Sequence, residues 1–450
     1  MKAFKAYDIR GVYNVDFTKD DCYKIGFFLS ELLNTKKILI GRDARTSSPE
    51  IYQALTAGIT DSGADVYDIG LATTPMVYFA TAKHGFEASV QITASHNPPE
   101  YNGMKVSTKN AMPVGYDTGL GTLKTLMETK KIVPADNKGV IINFPLKDEY
   151  VAFQKQFVEK IANLKIAVDC SNGMAALIIK DIWGYSPIYL YDTLDCTFPN
   201  HEPNPLVEEN VEDLKKHVLK NNCDMGIIFD GDADRVMFVD EKGRFVSPDL
   251  VIALLGHYFL ETEEAQNSEI AVLQDIRTSK AVSEYLAQFN ATVHTWKVGR
   301  AFAAPKLLEI DGIYGGELAG HYYFRNFFYS DSGIMAASIV VNVVADFLKK
   351  GIVFSDLIDK ISSYANSGEI NFKIENKTAA MEAVKNYFEQ NEKVEQFFDF
   401  DGYRLEFADW WFNIRPSNTE PYLRFIAEAK SNDMLKEKVA KVNEIIKTFS

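Results

Sequence analysis

Short apolar runs, each followed by a polar segment with glycine or proline, recur along the chain and predict alternating strands and helices. Residues 37–41 (Lys-Ile-Leu-Ile-Gly) predict a strand. Ser48 and Pro49 predict the start of a helix, with Ser48 as its cap, that lasts to about Gly63. Residues 64–70 predict the next strand. A strand, a helix and a second strand in this order indicate a largely parallel sheet.

The same pattern recurs twice before it changes towards the C-terminus. An apolar run at 164–169 opens a second unit, and a third begins near Pro248 with the run at 270–275 as its strand. We interpret the turn at 169–173 only as a helix cap. After about residue 365, a strand at 370–374 and a helix over 379–390 indicate an α+β arrangement. The predicted fold class is α/β, with three doubly wound mixed α/β domains and a C-terminal α+β domain around a central cleft. The predicted domains cover residues 1–145, 146–247, 248–365 and 366–450.

The segment 226–235 carries three carboxylates at every second position. Its apolar first half predicts a buried strand, and Asp230, Asp232 and Asp234 lie in the turn that follows. Carboxylates this close repel one another unless a cation lies between them, and oxygen ligands suit a hard divalent ion such as Mg2+. Arg235 adds a fixed positive charge, which favours a phosphate nearby.

Three other interpretations apply to this segment. An EF-hand calcium loop would use Glu241 at position twelve, but position six requires glycine and is Arg235, and both flanks resemble strands. A solvated acidic hairpin without metal is compatible with the spacing alone. An aspartyl-phosphate enzyme, with a carboxylate as nucleophile, is less attractive because the chain offers a serine for that task.

Ser95 is the candidate phosphate carrier. It follows a predicted strand at 88–92 and precedes the sequence Asn-Pro-Pro at 97–99, which predicts a rigid turn. Serine needs a nearby base and cations for phosphoryl chemistry, and both His96 and Lys105 lie close in sequence. A serine in such a place is more often a turn or helix-cap residue, so this assignment depends on the acidic segment.

Two further loops carry side chains suited to sugar phosphates. Residues 415–421 (Arg-Pro-Ser-Asn-Thr-Glu-Pro) place an arginine, hydroxyls and an amide between two strand-like runs, which suits a phosphate cradle. Residues 315–321 place Glu317 after two glycines and before His321, so backbone and carboxylate can both approach a sugar. An ordinary hairpin loop and a flexible glycine loop are the structural alternatives.

Composition restricts the classes of partner. A chain of 450 residues is too long for one hydrophobic core and predicts several domains. A net charge of -14 argues against nucleic acid or an anionic membrane as partner. The four cysteines form no CxxC pair, so neither a disulfide framework nor a zinc site is indicated. Without a membrane-length apolar stretch or a signal-like N-terminus, we expect a cytoplasmic protein.

These segments together resemble the α-D-phosphohexomutases, in particular the bacterial phosphomannomutase/phosphoglucomutase branch. The likeness begins at residues 4–11 (Phe-Lys-Ala-Tyr-Asp-Ile-Arg-Gly), includes residues 41–45 (Gly-Arg-Asp-Ala-Arg) and ends at Pro421. It implies that Ser95 carries phosphate in the resting enzyme, and that Ser95 and the three aspartates hold one Mg2+ per chain. It implies further reaction-centre and substrate-binding residues: Tyr7, Arg10, Lys105, Arg235, Lys297, Arg300, Glu317, Ala319, His321, Arg415, Ser417, Asn418, Thr419 and Arg424.

The activity that this resemblance implies moves phosphate between C1 and C6 of a hexose. A phosphoserine would give its phosphoryl group to a hexose phosphate, and the resulting 1,6-bisphosphate would return its other phosphate. A bisphosphorylated hexose is the expected activator. Lys105 and His321 are both candidates for proton transfer. We expect small sugar phosphates as partners, no nucleic acid or membrane, and a monomer or homodimer.

The chain departs from the family pattern at two positions. Many relatives have serine where Ala319 stands and often histidine where Arg300 stands, so the preference between mannose and glucose is open. A phosphomannomutase, or a dual phosphomannomutase/phosphoglucomutase, is the leading hypothesis. Phosphoglucosamine mutase is the alternative, although such relatives usually have glycine at the position of Asn418. A silenced paralogue that only binds sugar phosphates should have lost Ser95 or an aspartate of the acidic segment, and all four are present.

Overall fold

The structure, a computed structural model, describes residues 2–262, 270–417 and 422–449. Four β-sheets follow one another along the chain, and helices pack against each of them. The predicted fold class is confirmed, whereas the domain boundaries stay a prediction. No helix in these three ranges is both long enough and apolar enough to span a membrane.

The first sheet is mixed. Its strands in spatial order are Ile9–Val12, Tyr101–Thr108, Ala88–Ile92, Lys37–Arg42, Asp65–Leu71 and Ile141–Asn143. The last four strands in this order pair in parallel, whereas each of the first two pairs antiparallel with the strand that follows it in the order. The helices around it are Lys19–Leu32, Ser48–Asp61, Thr74–Lys83 and Gly121–Thr129.

The predicted cap of the second helix is wrong. The helix begins at Ser48, but its N-cap is Ser47, whose side chain makes no capping hydrogen bond. Ser48 Oγ instead donates to Asp43 Oδ1 at 2.5 Å, and both residues are buried. This bond ties the start of the helix to the loop that carries Arg45, so a buried partner has replaced the expected local cap.

The second and third sheets continue the mixed pattern. The second has the order Phe245–Val246, Val236–Asp240, Met225–Phe229, Ile166–Asp169 and Ile188–Leu190, with helices Lys147–Lys155, Ile179–Trp183 and Glu212–Asn221. The third has the order Ala291–Trp296, Ile270–Asp275, Tyr314–Gly316, Tyr322–Phe324 and Ser330–Asp331. Its helices are Pro248–Phe259, Lys280–Leu286, Arg300–Glu309, Gly333–Lys349 and Phe354–Ile361.

The fourth sheet is antiparallel. Its order is Ala365–Asn366, Leu423–Ala429, Trp410–Pro416, Tyr403–Glu406 and Gln396–Phe398, and Ile370–Phe372 also pairs with Leu423–Ala429. Helices Lys377–Asn391 and Asn432–Lys447 complete this part of the chain. The predicted helix over 379–390 is longer by a few residues because Asn376, ahead of it, caps its first turn with a hydrogen bond to Ala379 N.

The first three sheets share a hydrophobic core, and the fourth has its own. One continuous apolar cluster joins residues of all three, among them Phe79, Phe229 and Val340. A separate cluster around Trp410 and Phe412 fills the C-terminal part. Because separating the first three domains would expose apolar surface, they behave as one packed unit.

Several buried hydrogen bonds join the C-terminal part to the third domain. Arg404 is fully buried, and its Nη1 donates to Ile276 O at 2.8 Å and Thr278 O at 2.6 Å. Ser279 Oγ donates to Glu428 Oε2 at 2.5 Å. Burial, with a smaller effect from a nearby carboxylate, raises the pKa of Glu428 to about 7 from its ordinary 4.5.

We expect the free energy of unfolding to fall between pH 6 and pH 8 because of Glu428. The folded protein holds the Glu428 proton more tightly than the unfolded chain, so this stabilisation is complete below 4.5 and is lost as pH rises through about 7. The loss between pH 6 and pH 8 is on the order of 1 kcal/mol. Urea unfolding at both pH values measures it.

Glu428→Gln should reduce this pH dependence, whereas Glu395→Gln, at an exposed surface pair with Lys280, should leave it unchanged. Equal pH slopes in the wild type and Glu428→Gln would show that Glu428 ionises normally.

Candidate active site

Loops from the first three domains meet in one cleft. A cavity of about 170 Å³ lies there, lined by side chains from all three. The structure brings many of the sequence-predicted site residues to this cavity: Tyr7, Arg10, Lys105, Asp234, Arg235, Arg300, Glu317, Ala319 and His321.

Ser95 lies in the loop after strand Ala88–Ile92 and is 1% exposed. Its φ of +51° places it in the left-handed region, where a non-glycine residue is strained and therefore needs support from its surroundings. Its Oγ lies 2.8 Å from Asp230 Oδ2 and 3.2 Å from His96 Nδ1. The serine and the acidic segment, 135 residues apart in sequence, are therefore in direct contact.

Arg45 supplies the support for this strained loop. Its side chain is 1% exposed and lies 3.2 Å from Asp43 Oδ2. Its two terminal nitrogens donate to four backbone carbonyls of the loop, those of Ser95, Asn97, Pro98 and Tyr101, at 2.6–3.1 Å. Arg10 Nη1 adds a bond to Asn97 Oδ1 at 2.8 Å. The loop shape thus depends on buried arginines rather than on the prolines alone.

The three aspartates of the acidic segment converge. Their oxygens lie within 4.8 Å of one another, and all three residues are buried. Lys105 Nζ donates to Asp232 Oδ2 at 2.7 Å and also to Asp234, and Arg235 N donates to Asp230 Oδ1 at 3.1 Å. Burial and the other two carboxylates raise the pKa of Asp230 well above its usual range. Burial is also the largest single effect on Asp234 and acts to raise its pKa, but the neighbouring positive groups, Lys105 first among them, together outweigh it, and the pKa is lowered.

This acidic cluster fits a hard divalent cation. Asp232 Oδ1 and Asp234 Oδ1 are buried and have no hydrogen-bond partner among the described residues. Unpaired buried carboxylate oxygens are costly unless an ion or donor satisfies them. A second group, formed by Asp234, His321 and Asp331, is equally close. It suits a cation less well, because both ring nitrogens of His321 are already hydrogen-bonded.

Close backbone packing holds the acidic segment against the Ser95 loop. A Cβ on Gly231 would lie 2.4 Å from Ser95 O, so this approach requires glycine. Behind it, Ser171 Oγ donates to Phe229 O at 2.6 Å, one residue before Asp230. The prediction that the turn at 169–173 serves only as a helix cap is therefore wrong, because its serine holds the strand end that carries the acidic segment.

Glu317 faces the cleft from the third domain and is 2% exposed. Its Oε1 accepts a bond from Tyr323 OH at 2.6 Å, and its Oε2 accepts one from Gly299 N at 3.1 Å. Arg277 Nη2 lies 3.9 Å from Oε2. Burial raises the pKa of Glu317. These contacts fix the carboxylate in one orientation at the cavity wall.

His321 and Arg300 are linked through a buried aspartate. His321 Nδ1 lies 2.6 Å from Asp331 Oδ2, and Arg235 Nε donates to His321 Nε2 at 2.9 Å. Arg300 Nε lies 3.0 Å from Asp331 Oδ1, and its guanidinium lies 3.7 Å from the ring centre of Tyr78. Arg300 lines the cavity, but its guanidinium is occupied by protein groups.

Tyr7 and Lys297 lie at the edge of the cleft. The Tyr7 ring packs edge-on against Phe302, with 5.8 Å between the ring centres. The φ of Gly299 is +107°, a conformation that favours glycine, and a Cβ there would lie 3.2 Å from the Tyr7 ring and crowd it. Lys297 Nζ lies 5.3 Å from the Phe302 ring centre and does not line the cavity.

Arg415 lies beyond the cavity, on the C-terminal sheet. It is 5% exposed and lies 3.7 Å from Asp401, which in turn accepts a bond from Val298 N at 3.1 Å. Burial and the neighbouring Arg277 guanidinium lower the pKa of Arg415. A buried guanidinium that is affected by the charge of a second one favours an anion beside it.

The other predicted cradle residues fall partly within the described ranges. Ser417 N donates to Tyr422 O at 2.9 Å and continues the hairpin. Arg424 Nη1 lies 3.2 Å from Glu369 Oε1. Asn418 and Thr419 lie outside the described residues.

Sequence reasoning missed several residues that shape this site. Thr74 Oγ1 donates to Asp232, Arg277 makes a two-pronged contact with Asp275 beside the Glu317 loop, and Asp331 orients His321. Thr74 is the first residue of a helix, and Asp331 ends a short strand just ahead of the helix that Ser332 caps, so both are ordinary positions for a polar residue. Arg277 follows strand Ile270–Asp275, and its position after a strand end was the available signal.

Four sequence families match consecutive parts of the chain. They are described as phosphoglucomutase/phosphomannomutase, alpha/beta/alpha domain I at residues 1–131, domain II at 148–243, domain III at 247–364, and the C-terminal domain at 369–445. The chain is 36% identical over 464 residues to a phosphomannomutase of Salmonella montevideo, covering 100% of this chain and 99% of the relative. It is also 36% identical to a phosphomannomutase of Escherichia coli (strain K12), covering 97% of both.

Solved structures share the architecture. A phosphoglucomutase/phosphomannomutase family protein from Burkholderia thailandensis superposes with a TM-score of 0.88 at 25% identity, covering 99% of this chain and 97% of that one. An N-acetylphosphoglucosamine mutase from Aspergillus fumigatus, in complex with GlcNAc-6P and magnesium, has a TM-score of 0.59 at 14% identity, covering 82% and 90%. At that identity it shares the fold alone.

We expect Arg45→Ala to destabilise the protein by about 3 kcal/mol or more. The change leaves buried carbonyls of the Ser95 loop without their donor, and it removes the positive charge beside the buried Asp43 carboxylate. Urea unfolding measures the loss, and hydrogen exchange should show lost protection around residues 93–101. The matched control is Arg42→Ala, whose half-buried guanidinium lies over the Tyr52 ring, and which should cost less. Equal stability of the two variants would refute the role of Arg45.

Proposed function

Because the chain belongs to the phosphoglucomutase/phosphomannomutase family, we propose that it interconverts mannose 1-phosphate and mannose 6-phosphate, with Ser95 as the phosphate carrier. Sugar-phosphate mutase activity is the function of this family, and the choice of mannose rests on the names of the relatives. The observation that carries the proposal is the contact of 2.8 Å between Ser95 Oγ and Asp230 inside a buried acidic cluster.

The reaction is a pair of phosphoryl transfers. In the first, the bond between phosphorus and Ser95 Oγ breaks and a bond to the free hydroxyl of the hexose phosphate forms, while the hydroxyl proton passes to a base. The product is a 1,6-bisphosphate. After this intermediate has reversed its orientation, the bond between its other phosphorus and the sugar oxygen breaks and a bond to Ser95 Oγ forms, while a proton returns to the sugar oxygen to give the hydroxyl. Ser95 is then phosphorylated again, as it was at the start. The net result moves one phosphate between C1 and C6.

Positive side chains around Ser95 stabilise the charge of the transferring group. Arg10, Lys105 and Arg235 all line the cavity, and phosphoryl transfer depends mainly on such positioning and charge stabilisation. Asp230, Asp232, Asp234 and phosphorylated Ser95 would hold Mg2+, which when bound neutralises negative charge on the phosphoryl oxygens. The unpaired oxygens of Asp232 and Asp234 support this assignment.

The loops at residues 315–321 and 415–421 are assigned to the sugar and to its non-reacting phosphate. We assign the sugar hydroxyls to Glu317, whose carboxylate is held at the cavity wall by Tyr323 and Gly299. We assign the non-reacting phosphate to Arg415 and Ser417, together with Asn418, Thr419 and Arg424. The burial of Arg415 beside a second guanidinium, that of Arg277, supports this assignment, because an anion bound there would compensate both effects.

The alternatives differ in the sugar and not in the chemistry. Ala319 lines the cavity and offers no hydroxyl, so the epimer preference rests on the rest of the Glu317 loop. A dual activity on glucose phosphates and a phosphoglucosamine mutase remain the competing hypotheses. A cytoplasmic location, a monomer or homodimer and activation by a bisphosphorylated hexose stay predictions.

We expect Ser95→Ala to reduce the conversion of mannose 1-phosphate to mannose 6-phosphate by about a thousandfold or more, because it removes the phosphate carrier. The assay is 31P NMR of the purified protein with Mg2+ and a trace of mannose 1,6-bisphosphate. Glucose 1-phosphate and glucosamine 1-phosphate run in parallel. Ser107→Ala, a buried serine of the same sheet, is the control and should retain activity.

Two results would contradict the proposal. Faster turnover of glucosamine 1-phosphate than of either hexose phosphate would favour the phosphoglucosamine alternative. Near-normal turnover by Ser95→Ala would remove Ser95 from the reaction.

We expect removal of divalent cations by EDTA to abolish activity, and added Mg2+ to restore it, because three buried carboxylates need a cation beside the phosphoserine. Asp232→Asn should raise the Mg2+ concentration required for half-maximal activity. Asp240→Asn, a buried aspartate on the adjoining strand that binds Arg244, should leave that concentration unchanged. Full activity after exhaustive chelation would rule out the metal.

A further inference from the structure

The first domain reaches the acidic segment through the start of one helix. We propose that Thr74, the first residue of helix Thr74–Lys83, is a positioning residue that turns Asp232 so that one of its carboxylate oxygens faces the divalent cation. This inference rests on the proposed mutase reaction, which uses that cation, and it gives a task to a residue outside the acidic segment.

Thr74 contacts Asp232 at two points. Its Oγ1 donates to Asp232 Oδ2, and its backbone N donates to Asp232 O at 3.1 Å. Both residues are fully buried, so water does not compete for these bonds. The bond from the hydroxyl sets the rotation of the carboxylate, and the bond from the backbone holds the loop at the same residue. Together they leave Asp232 little freedom to turn.

The two carboxylate oxygens of Asp232 have different surroundings. Oδ2 accepts bonds from Thr74 Oγ1 and from Lys105 Nζ, the latter at 2.7 Å. Oδ1 is buried and has no hydrogen-bond partner in the described part of the chain. Asp230 and Asp234 each place an oxygen within 4.8 Å of the Asp232 carboxylate. The oxygen that Thr74 does not hold is therefore the one available to an ion bound by the three carboxylates.

The position of Thr74 is itself fixed by the helix that it begins. Pro75 follows it, and Thr73 Oγ1 accepts a bond from Met76 N at 3.2 Å, which caps the first turn. Residues 74–81 are all buried, and the helix packs into the apolar core that the first three domains share. The N–H groups at the start of a helix also carry partial positive charge, which favours a carboxylate there.

Lys105 holds the same oxygen but cannot replace Thr74 in this task. Its Nζ is shared between Asp232 and Asp234, and it lines the cavity, where the transferring phosphoryl group competes for it. Thr74 does not line the cavity, and its short β-branched side chain has few rotamers. Thr74 can therefore keep Asp232 in one orientation while Lys105 interacts with the substrate.

The test removes the hydroxyl of Thr74 and keeps the shape of the side chain. Thr74→Val retains the backbone bond to Asp232 O and loses only the donor to Oδ2. We expect its dissociation constant for Mn2+, used as a probe of the Mg2+ site, to rise about tenfold or more. Thr74→Ser, which keeps a hydroxyl, should stay within about threefold of wild type. Electron paramagnetic resonance of the purified protein, titrated with Mn2+ in the absence of sugar phosphate, measures these constants.

Thr81→Val is the matched control. Thr81 is a fully buried residue of the same helix, and its Oγ1 lies 2.6 Å from Val77 O and 2.7 Å from Ser89 Oγ. Its loss should lower the melting temperature without changing the dissociation constant for Mn2+. If Mn2+ affinity fell in parallel with the melting temperature in both valine variants, Thr74 would be a structural residue only, and the proposal would be overturned.

A double variant tests whether Thr74 acts through Asp232. In an Asp232→Asn background, Thr74→Val should weaken Mn2+ binding no further, because the carboxylate that it positions is absent. An undiminished effect in that background, or equal Mn2+ affinity of Thr74→Val and wild type, would refute the positioning role. Mn2+ binding requires no turnover. Absence of mutase activity together with the expected Mn2+ affinities would therefore count against the proposed function and still support the role of Thr74.

Discussion

The repulsion among three buried carboxylates is the constraint on which the site is built. Asp230, Asp232 and Asp234 lie within reach of one ion, and each is almost fully buried. Placing them together is unfavourable unless positive charge lies close by. Lys105 supplies this charge from the first domain, and the Arg235 guanidinium adds to it at the end of the segment, 3.9 Å from Asp230 Oδ2. The acidic segment therefore forms a cation site and also attracts a positively charged side chain from the opposite wall of the cleft.

The Ser95 loop, which lies against the acidic segment, is itself held in a strained conformation. Ser95 occupies the left-handed region, and Arg45 holds the loop by its backbone carbonyls. Gly231 then allows the two loops to touch, since a side chain there would meet Ser95 O at 2.4 Å. Buried arginine-to-carbonyl bonds are directional, so they fix the hydroxyl where hydrophobic packing alone would leave the loop free to shift.

The local sequence carried enough information for the elements and for the loops that end them. Strand Ala88–Ile92, strand Met225–Phe229 and the helix starting at Ser48 follow from apolar runs and punctuating residues. The contacts between domains could not be predicted in this way. A pattern of apolar residues predicts a strand or a helix, but it does not indicate which distant carbonyl an arginine side chain will contact. Arg277 and Asp331 are residues whose role depends on such unpredicted contacts, and nothing in the sequence around either of them marks it as part of a site.

The two halves of the cleft are held by different forces, and this difference bears on how a substrate enters. The first three domains share an apolar core, so parting them would expose hydrophobic surface. The C-terminal domain keeps its own core and meets the third domain through buried polar contacts such as Arg404 with Thr278. Water can replace such hydrogen bonds at little net loss, whereas it cannot replace apolar packing. We therefore expect opening at the C-terminal domain to cost less than parting the first three domains. Such an opening would move Arg415 while leaving Ser95 beside its aspartates, which is what the proposed reaction needs if its bisphosphate intermediate is to turn round.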